Sequence, residues 1–183
     1  MSLKAKFIGG LAAVAIGGCA MTAQAQTIPK VGGAPMYPDK PIAQNASQAP
    51  NLTTLVAAVK AAGLVDTLAG PGPFTVFAPT NAAFEALPPG TVETLLKPEN
   101  RDKLTAILTY HVVPGTMSAG DLASQAGRSP DDLANLSTVE GGPVSVKGTR
   151  IYDESGHMHR IVQTDVFQSN GVVHVIDGVL LPK

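Results

Sequence analysis

The side chains of this 183-residue sequence that could make bonds or hold a metal are four histidines, one cysteine and a few neighbouring carboxylates. His111 follows Tyr110 at the end of an apolar helical stripe, where an imidazole could serve as a general base. A base needs a nucleophile to activate, and no serine or cysteine sits in a recognisable strand-to-helix elbow. The reading we favour is a buried ring whose nitrogens satisfy backbone groups and tie the helix to a sheet. His174, inside the apolar run Val172 to Ile176, reads the same way. His157 and His159 would project to one side of a strand, with Asp153 and Glu154 across a turn, so imidazoles and carboxylates could meet around a divalent ion. A hairpin tip also collects polar residues simply because it is wet. Asp131-Asp132 and Asp153-Glu154 are adjacent in turns, whereas acid–base pairs come from separated positions that a fold brings together. The sequence contains no phosphate-cradling loop, dinucleotide fingerprint or zinc-protease helix motif. No catalytic, cofactor or metal site is therefore assigned.

The elements that must position these side chains are organised around Phe74 to Phe84. Phe74 to Phe77 is short, β-branched and aromatic, which predicts a buried strand, and Pro79 is expected to end its ladder pairing. Thr80 or Asn81 can cap a helix that begins with Ala82, Ala83 and Phe84. Upstream, Leu52, Leu55, Val56 and Val59 fall at helical spacing between a cap at Asn51 and a stop at Gly63. Downstream, Pro98-Glu99 begins a longer helix carrying Leu104, Ile107, Leu108 and His111, and Ser118 to Asp121 resembles a capping box for one more turn. Residues 124–135 read as an exposed loop. From Leu136 the pattern turns to strands joined by Gly-rich turns, with Asn170-Gly171 introducing the last. Helices first and an antiparallel sheet second define an α+β domain.

A net charge of -1 and 15% charged residues exclude an electrostatic nucleic-acid binder. Lys4, Lys6, the apolar run Phe7 to Gly18 and the small-residue site Ala23-Gln24-Ala25 read as a signal peptide over residues 1–25, too short and glycine-rich for a permanent membrane span. Ile16-Gly17-Gly18-Cys19 offers an alternative, lipid anchoring through the only thiol. Residues 26–38, rich in Gly and Pro, are expected to be a flexible linker, with the domain over 39–183. The sequons at Asn45, Asn51 and Asn135 are read as a cap at Asn51 and as chance at the other two.

Three stretches, Phe74 to Phe84, Leu108 to Gly115 and Asn170 to Asp177, resemble in order and spacing the three signature motifs of the fasciclin domain. The resemblance covers residues 39–183. It implies a β-wedge, two small sheets meeting at an angle with helices along one edge, in which Thr80, Asn81, Tyr110, His111 and His174 are structural motif residues. It also implies extracellular or surface adhesion without a cofactor or catalytic centre. An aspartate followed by isoleucine ahead of the last motif is associated with adhesion in animal members. Here Asp165 is followed by Val166 and preceded by Thr164 where those members carry proline, so the resemblance implies an exposed contact at Asp165 and Val166. The expected function is an exported, non-enzymatic module, secreted or periplasmic, contacting a surface or matrix protein or polysaccharide. The alternative is a binder of a small apolar ligand, lipid or pigment, between helices and sheet, since a core low in large aromatics can leave a lined cavity.

Overall fold

The structure is a computed structural model that describes residues 28–182. The signal peptide expected over 1–25 and the thiol of Cys19 lie outside the described residues. The segment expected to be a linker is folded where it is described. Strands β1 (Lys30–Val31) and β2 (Ala34–Pro35) form an antiparallel hairpin, and the Met36 N–H closes it on the Pro29 carbonyl at 2.8 Å. The glycines that suggested mobility make its turn, and Val31 and Met36 are packed into the core at 1% and 2% exposure.

Three helices follow: α1 (Ile42–Ala46), α2 (Thr53–Ala62) and α3 (Val65–Ala69). Helix α2 buries Leu55 and Val59 of the predicted stripe, with Leu52 buried just ahead of it, while Ala58 is buried in addition and Val56 is half-buried, and it ends at Gly63 in the left-handed conformation, φ 74°. Its start differs from expectation. Leu52, not Asn51, is the N-cap and makes no side-chain bond. The cap comes from a distant element instead, where Asn81 Oδ1 accepts the Thr54 N–H at 3.1 Å.

Strand β3 (Phe74–Pro79) leads into α4 (Asn81–Glu85), capped by Thr80 Oγ1, which accepts the Ala83 N–H at 3.3 Å. Helix α5 (Thr91–Leu95) and a 3-10 turn at Pro98–Asn100 precede α6 (Arg101–Tyr110), and the chain then turns into β4 (Val112–Pro114). Helix α7 (Ala119–Ala126) opens on the expected capping box of Ser118 and Asp121. Four antiparallel-paired strands complete the chain as β5 (Ala134–Ser137), β6 (Pro143–Lys147), β7 (Arg150–Tyr152) and β8 (Met158–Gln168), and β9 (Gly171–Ile176) returns to the centre.

The strand order is β4-β3-β9-β8-β7-β6-β5. Every neighbour pair is antiparallel except β3 and β9, which run parallel from Phe74 opposite Gly171 to Pro79 opposite Ile176. Pro79 therefore stays in register at the strand end, and the Thr80 N–H supplies the bond to the Ile176 carbonyl at 3.1 Å. Gly171 is required by this pairing, because a Cβ there would run into the Phe74 carbonyl oxygen. The crease of the wedge is β8. Its first residues pair with β7 and the rest with β9, and two register shifts between Ile161 and Val166 bend it.

Alternation along β3 and β9 divides the core between the faces of the central sheet. Val76, Ala78, Val173 and Val175 join Leu55, Val59, Leu68 and Leu108 on the helix side. Phe77 and Ile176 join Tyr110, Leu122, Val144, Ile151, Ile161 and Leu180 on the other.

Candidate functional site

Each motif sends a polar side chain across to another element. Besides capping α2, Asn81 donates from Nδ2 to the Pro50 carbonyl at 3.1 Å and to Thr53 Oγ1 at 2.9 Å. Tyr110, fully buried, donates its hydroxyl to the Pro143 carbonyl at 2.7 Å and accepts the Glu154 N–H at 2.8 Å. His111, 2% exposed, accepts the Leu180 N–H on Nε2 at 2.9 Å, so its proton sits on Nδ1 and is donated to the Ile107 carbonyl at 2.7 Å. Desolvation by burial lowers the His111 pKa from 6.5 to about 4. His174 stacks on Phe77 with centroids 5.6 Å apart, donates from Nε2 to the Met117 carbonyl at 2.9 Å and accepts the Asp165 N–H at 3.4 Å. Burial lowers its pKa as well. Asn170 completes the set, accepting the Ile42 N–H and donating to the Leu68 and Gly70 carbonyls at 2.7 and 3.0 Å. Both ring nitrogens of each buried histidine are committed to backbone, which leaves no free lone pair for proton abstraction.

The contact expected at Asp165 and Val166 is corrected by the structure. Val166 is fully buried in the helix-side core. Asp165 is half-buried with φ 57°, and its Oδ1 accepts the Ala119 N–H at 2.7 Å, which secures the start of α7. The register shifts in β8 turn these side chains inward and bring their neighbours out, with Val162 61% and Phe167 49% exposed. Asp153 is buried and accepts the His157 and Leu181 N–H groups at 2.7 and 3.3 Å. His157 Nδ1 and His159 Nε2 lie 3.4 and 3.9 Å from Asp153 Oδ2. Among the described residues no group of three such side chains is placed to hold a metal ion.

A cavity of about 420 Å³ lies between α1, α2, α3, α6 and the β3–β9 face. Its walls are mainly aliphatic, among them Ile42, Leu55, Val59, Leu68 and Val173, and Phe74 and His111 line it as well. Gln168 lines it at 8% exposure, its Oε1 taken by Asn45 Nδ2 and its Nε2 without a partner among the described residues. Asn45 is 1% exposed and also donates to the Tyr37 carbonyl at 2.7 Å. In the sequence Asn45 reads only as a chance sequon, and Gln168 is not singled out. Asn45 offered one signal, an amide on the apolar stripe of Ile42, Ala46 and Ala49. For Gln168 there was none, because the shifts in β8 decide which of its side chains turn inward.

The Fasciclin domain model matches residues 50–182. Protein sll1483 of Synechocystis sp. is 53% identical over 135 residues, 71% of this chain and 67% of that protein. The cell surface glycolipoprotein MPB83 of Mycobacterium bovis is 38% identical over 173 residues, 90% of this chain and 70% of that protein. A FAS1 domain pair from the insect cell adhesion molecule Fasciclin I shares the fold with TM-score 0.69 at 20% identity, over 78% of this chain and 51% of that one. The chain belongs to the fasciclin domain family, with the α+β wedge of that fold. Among the described residues no helix is long and apolar enough to cross a membrane.

Proposed function

We propose that the chain is an exported, non-enzymatic interaction module that contacts a surface, matrix or periplasmic protein or polysaccharide, with residues 39–183 as the domain body and the 30–36 hairpin packed on it. The observation that carries this reading is the division of labour in β8 and its surroundings. The buried histidines His111 and His174 are spent on backbone ties, while Val162 and Phe167 present apolar surface outward. The description of MPB83 as a cell surface glycolipoprotein, and of Fasciclin I as an adhesion molecule, supports a role outside the cytoplasm. The leader read at 1–25 supports export, with anchoring through Cys19 as its lipid-linked form. Replacing Val162 and Phe167 together by serine in the full chain tests the reading. Cells displaying the variant lose surface attachment while its stability stays within about 0.5 kcal/mol of the parent. Unchanged attachment overturns it.

The cavity favours a second reading, a small apolar ligand held between helices and sheet. Native mass spectrometry of the chain from its own host, showing a retained lipid or pigment, supports that reading. A bare chain counts against it.

A further inference from the structure

Resting on the second reading, we propose that the cavity takes a single-chain anionic amphiphile, its alkyl tail among the aliphatic walls and its charged head in solvent at the rim beside Lys60. The cavity of about 420 Å³ has room for roughly a dozen methylene-sized groups, each about the 30 Å³ of a water, which is one alkyl chain and not two. Its inner walls, among them Leu55, Val76, Val166 and Val173, are buried side chains without a polar group, and they offer a tail burial and dispersion. The rim is different. Gln44, Ser47, Lys60 and Thr67 line the cavity and are also exposed, so it reaches solvent where α1, α2 and α3 come together. Helix α2 carries the whole gradient in one row. Leu52, its cap residue, Val56 and Lys60 are spaced four apart on one face and all line the cavity, the first buried, the second half-buried and the third exposed. At 1.5 Å per residue that row is about 12 Å long, the reach of a medium-length alkyl chain ending at an ammonium group.

The charge at the rim selects the sign of the head. Lys60 is the one permanently charged residue lining the cavity, and no ion pair holds it among the described residues. No acidic side chain lines the cavity, and Asp66, exposed in the first turn of α3, stands outside its walls. The Arg101 guanidinium adds a second positive charge at the same end of α2, 3.0 Å from where a Cβ on Gly63 would stand. Together the two cations exceed the partial negative charge of about half a unit that the last turn of a helix presents. A head held at the rim keeps its hydration, so its charge is selected by an exposed, salt-screened pair and no charge has to be buried.

The test loads the full chain with the fluorescent probe N-phenyl-1-naphthylamine at pH 7.5 in low salt and displaces it with decanoate, decanol or decyltrimethylammonium, which share one alkyl body. Decanoate should displace the probe at a concentration roughly fivefold below that of decyltrimethylammonium, with decanol between them, the size of effect an exposed pair supplies. High salt and Lys60→Gln should each remove most of that preference, and Lys60→Glu should invert it, with probe uptake intact throughout. Val56→Phe, which fills the cavity from α2, should abolish uptake. If Lys60 serves only the dipole of α2, its variants shift the melting temperature and leave the order of the three displacers unchanged, which overturns the seat of the head on that residue. Equal displacement by all three in the parent chain, or a preference for the alcohol or the cation, overturns the anionic class while leaving the cavity reading standing. Failure of the parent chain to take up the probe, or uptake unaltered in a folded Val56→Phe, overturns the cavity reading itself.

Discussion

The two faces of the central sheet are built from the same two strands and hold different things. On one side Phe77, Ile176 and Tyr110 pack against β5 to β8, and Tyr110, His111 and Asp153 fasten the loops and the 180–181 backbone to that core. On the other, the short helices α1 to α3 lie over Val76, Ala78, Val173 and Val175, with mostly small aliphatic side chains, and a cavity remains. Alternation along β3 and β9 cannot produce this difference, because it supplies both faces equally. The difference arises from what is laid over each face. Sheet-on-sheet packing with aromatic filler closes one side, while five-residue helices with gaps between them leave the other open. Cooperative stability should therefore reside on the first face and ligand capacity on the second.

The largest contrast is in truncation of the core. Phe77→Ala should cost about 3–5 kcal/mol in urea unfolding, and Leu55→Ala, which borders the cavity and already lacks packing partners on one side, about 2 kcal/mol. Equal losses would break the comparison. Acid should act through the fastened face next. The folded-state pKa of His111, about 4, lies below its ordinary 6.5, so its contribution is complete above pH 6.5 and lost as pH falls from 6.5 towards 4. A shift of that size corresponds to about 3 kcal/mol, and the lowered pKa of His174 acts with the same sign. Chemical denaturation across that window should show the decline, and His111→Gln should be less stable at pH 7.5 with a flatter profile. Tyr110→Phe keeps the ring and strands the Glu154 N–H and Pro143 carbonyl, a loss of about 1–3 kcal/mol at neutral pH by the same assay. The smallest effect sharpens the contrast from the opposite direction. Val144→Phe, on the closed face, should cost about 1–3 kcal/mol through overpacking, whereas Val56→Phe should change stability by less than about 1 kcal/mol because the space is already there.

Much of this was legible before any coordinates. The stripe of α2, the Thr80 cap, the Ser118–Asp121 box and the late strands announce themselves through period and cap chemistry, and the motifs locate the wedge. What stayed hidden depends on long-range geometry. Asn51 reads as a cap by local rules, yet Asn81 takes that role from 27 residues away. The resemblance implied an outward contact at Asp165 and Val166, but two register shifts in β8 reset the alternation on which inside and outside depend. The Gly and Pro content of residues 29–38 resembles a linker locally, and only the buried Val31 and Met36 reveal a hairpin that helps wall the cavity. A cavity is itself a packing deficit between distant elements, and no local pattern records it.

The most direct measurement is native-state hydrogen exchange of the ligand-free chain at neutral pH, resolved by residue. The amides of Leu180, Glu154 and Phe77 should exchange only through global unfolding, with those of Val56, Val59 and Leu68 opening locally at clearly lower free energy. Helix-side amides protected as strongly as Leu180 would contradict the division between a fastened face and an open one.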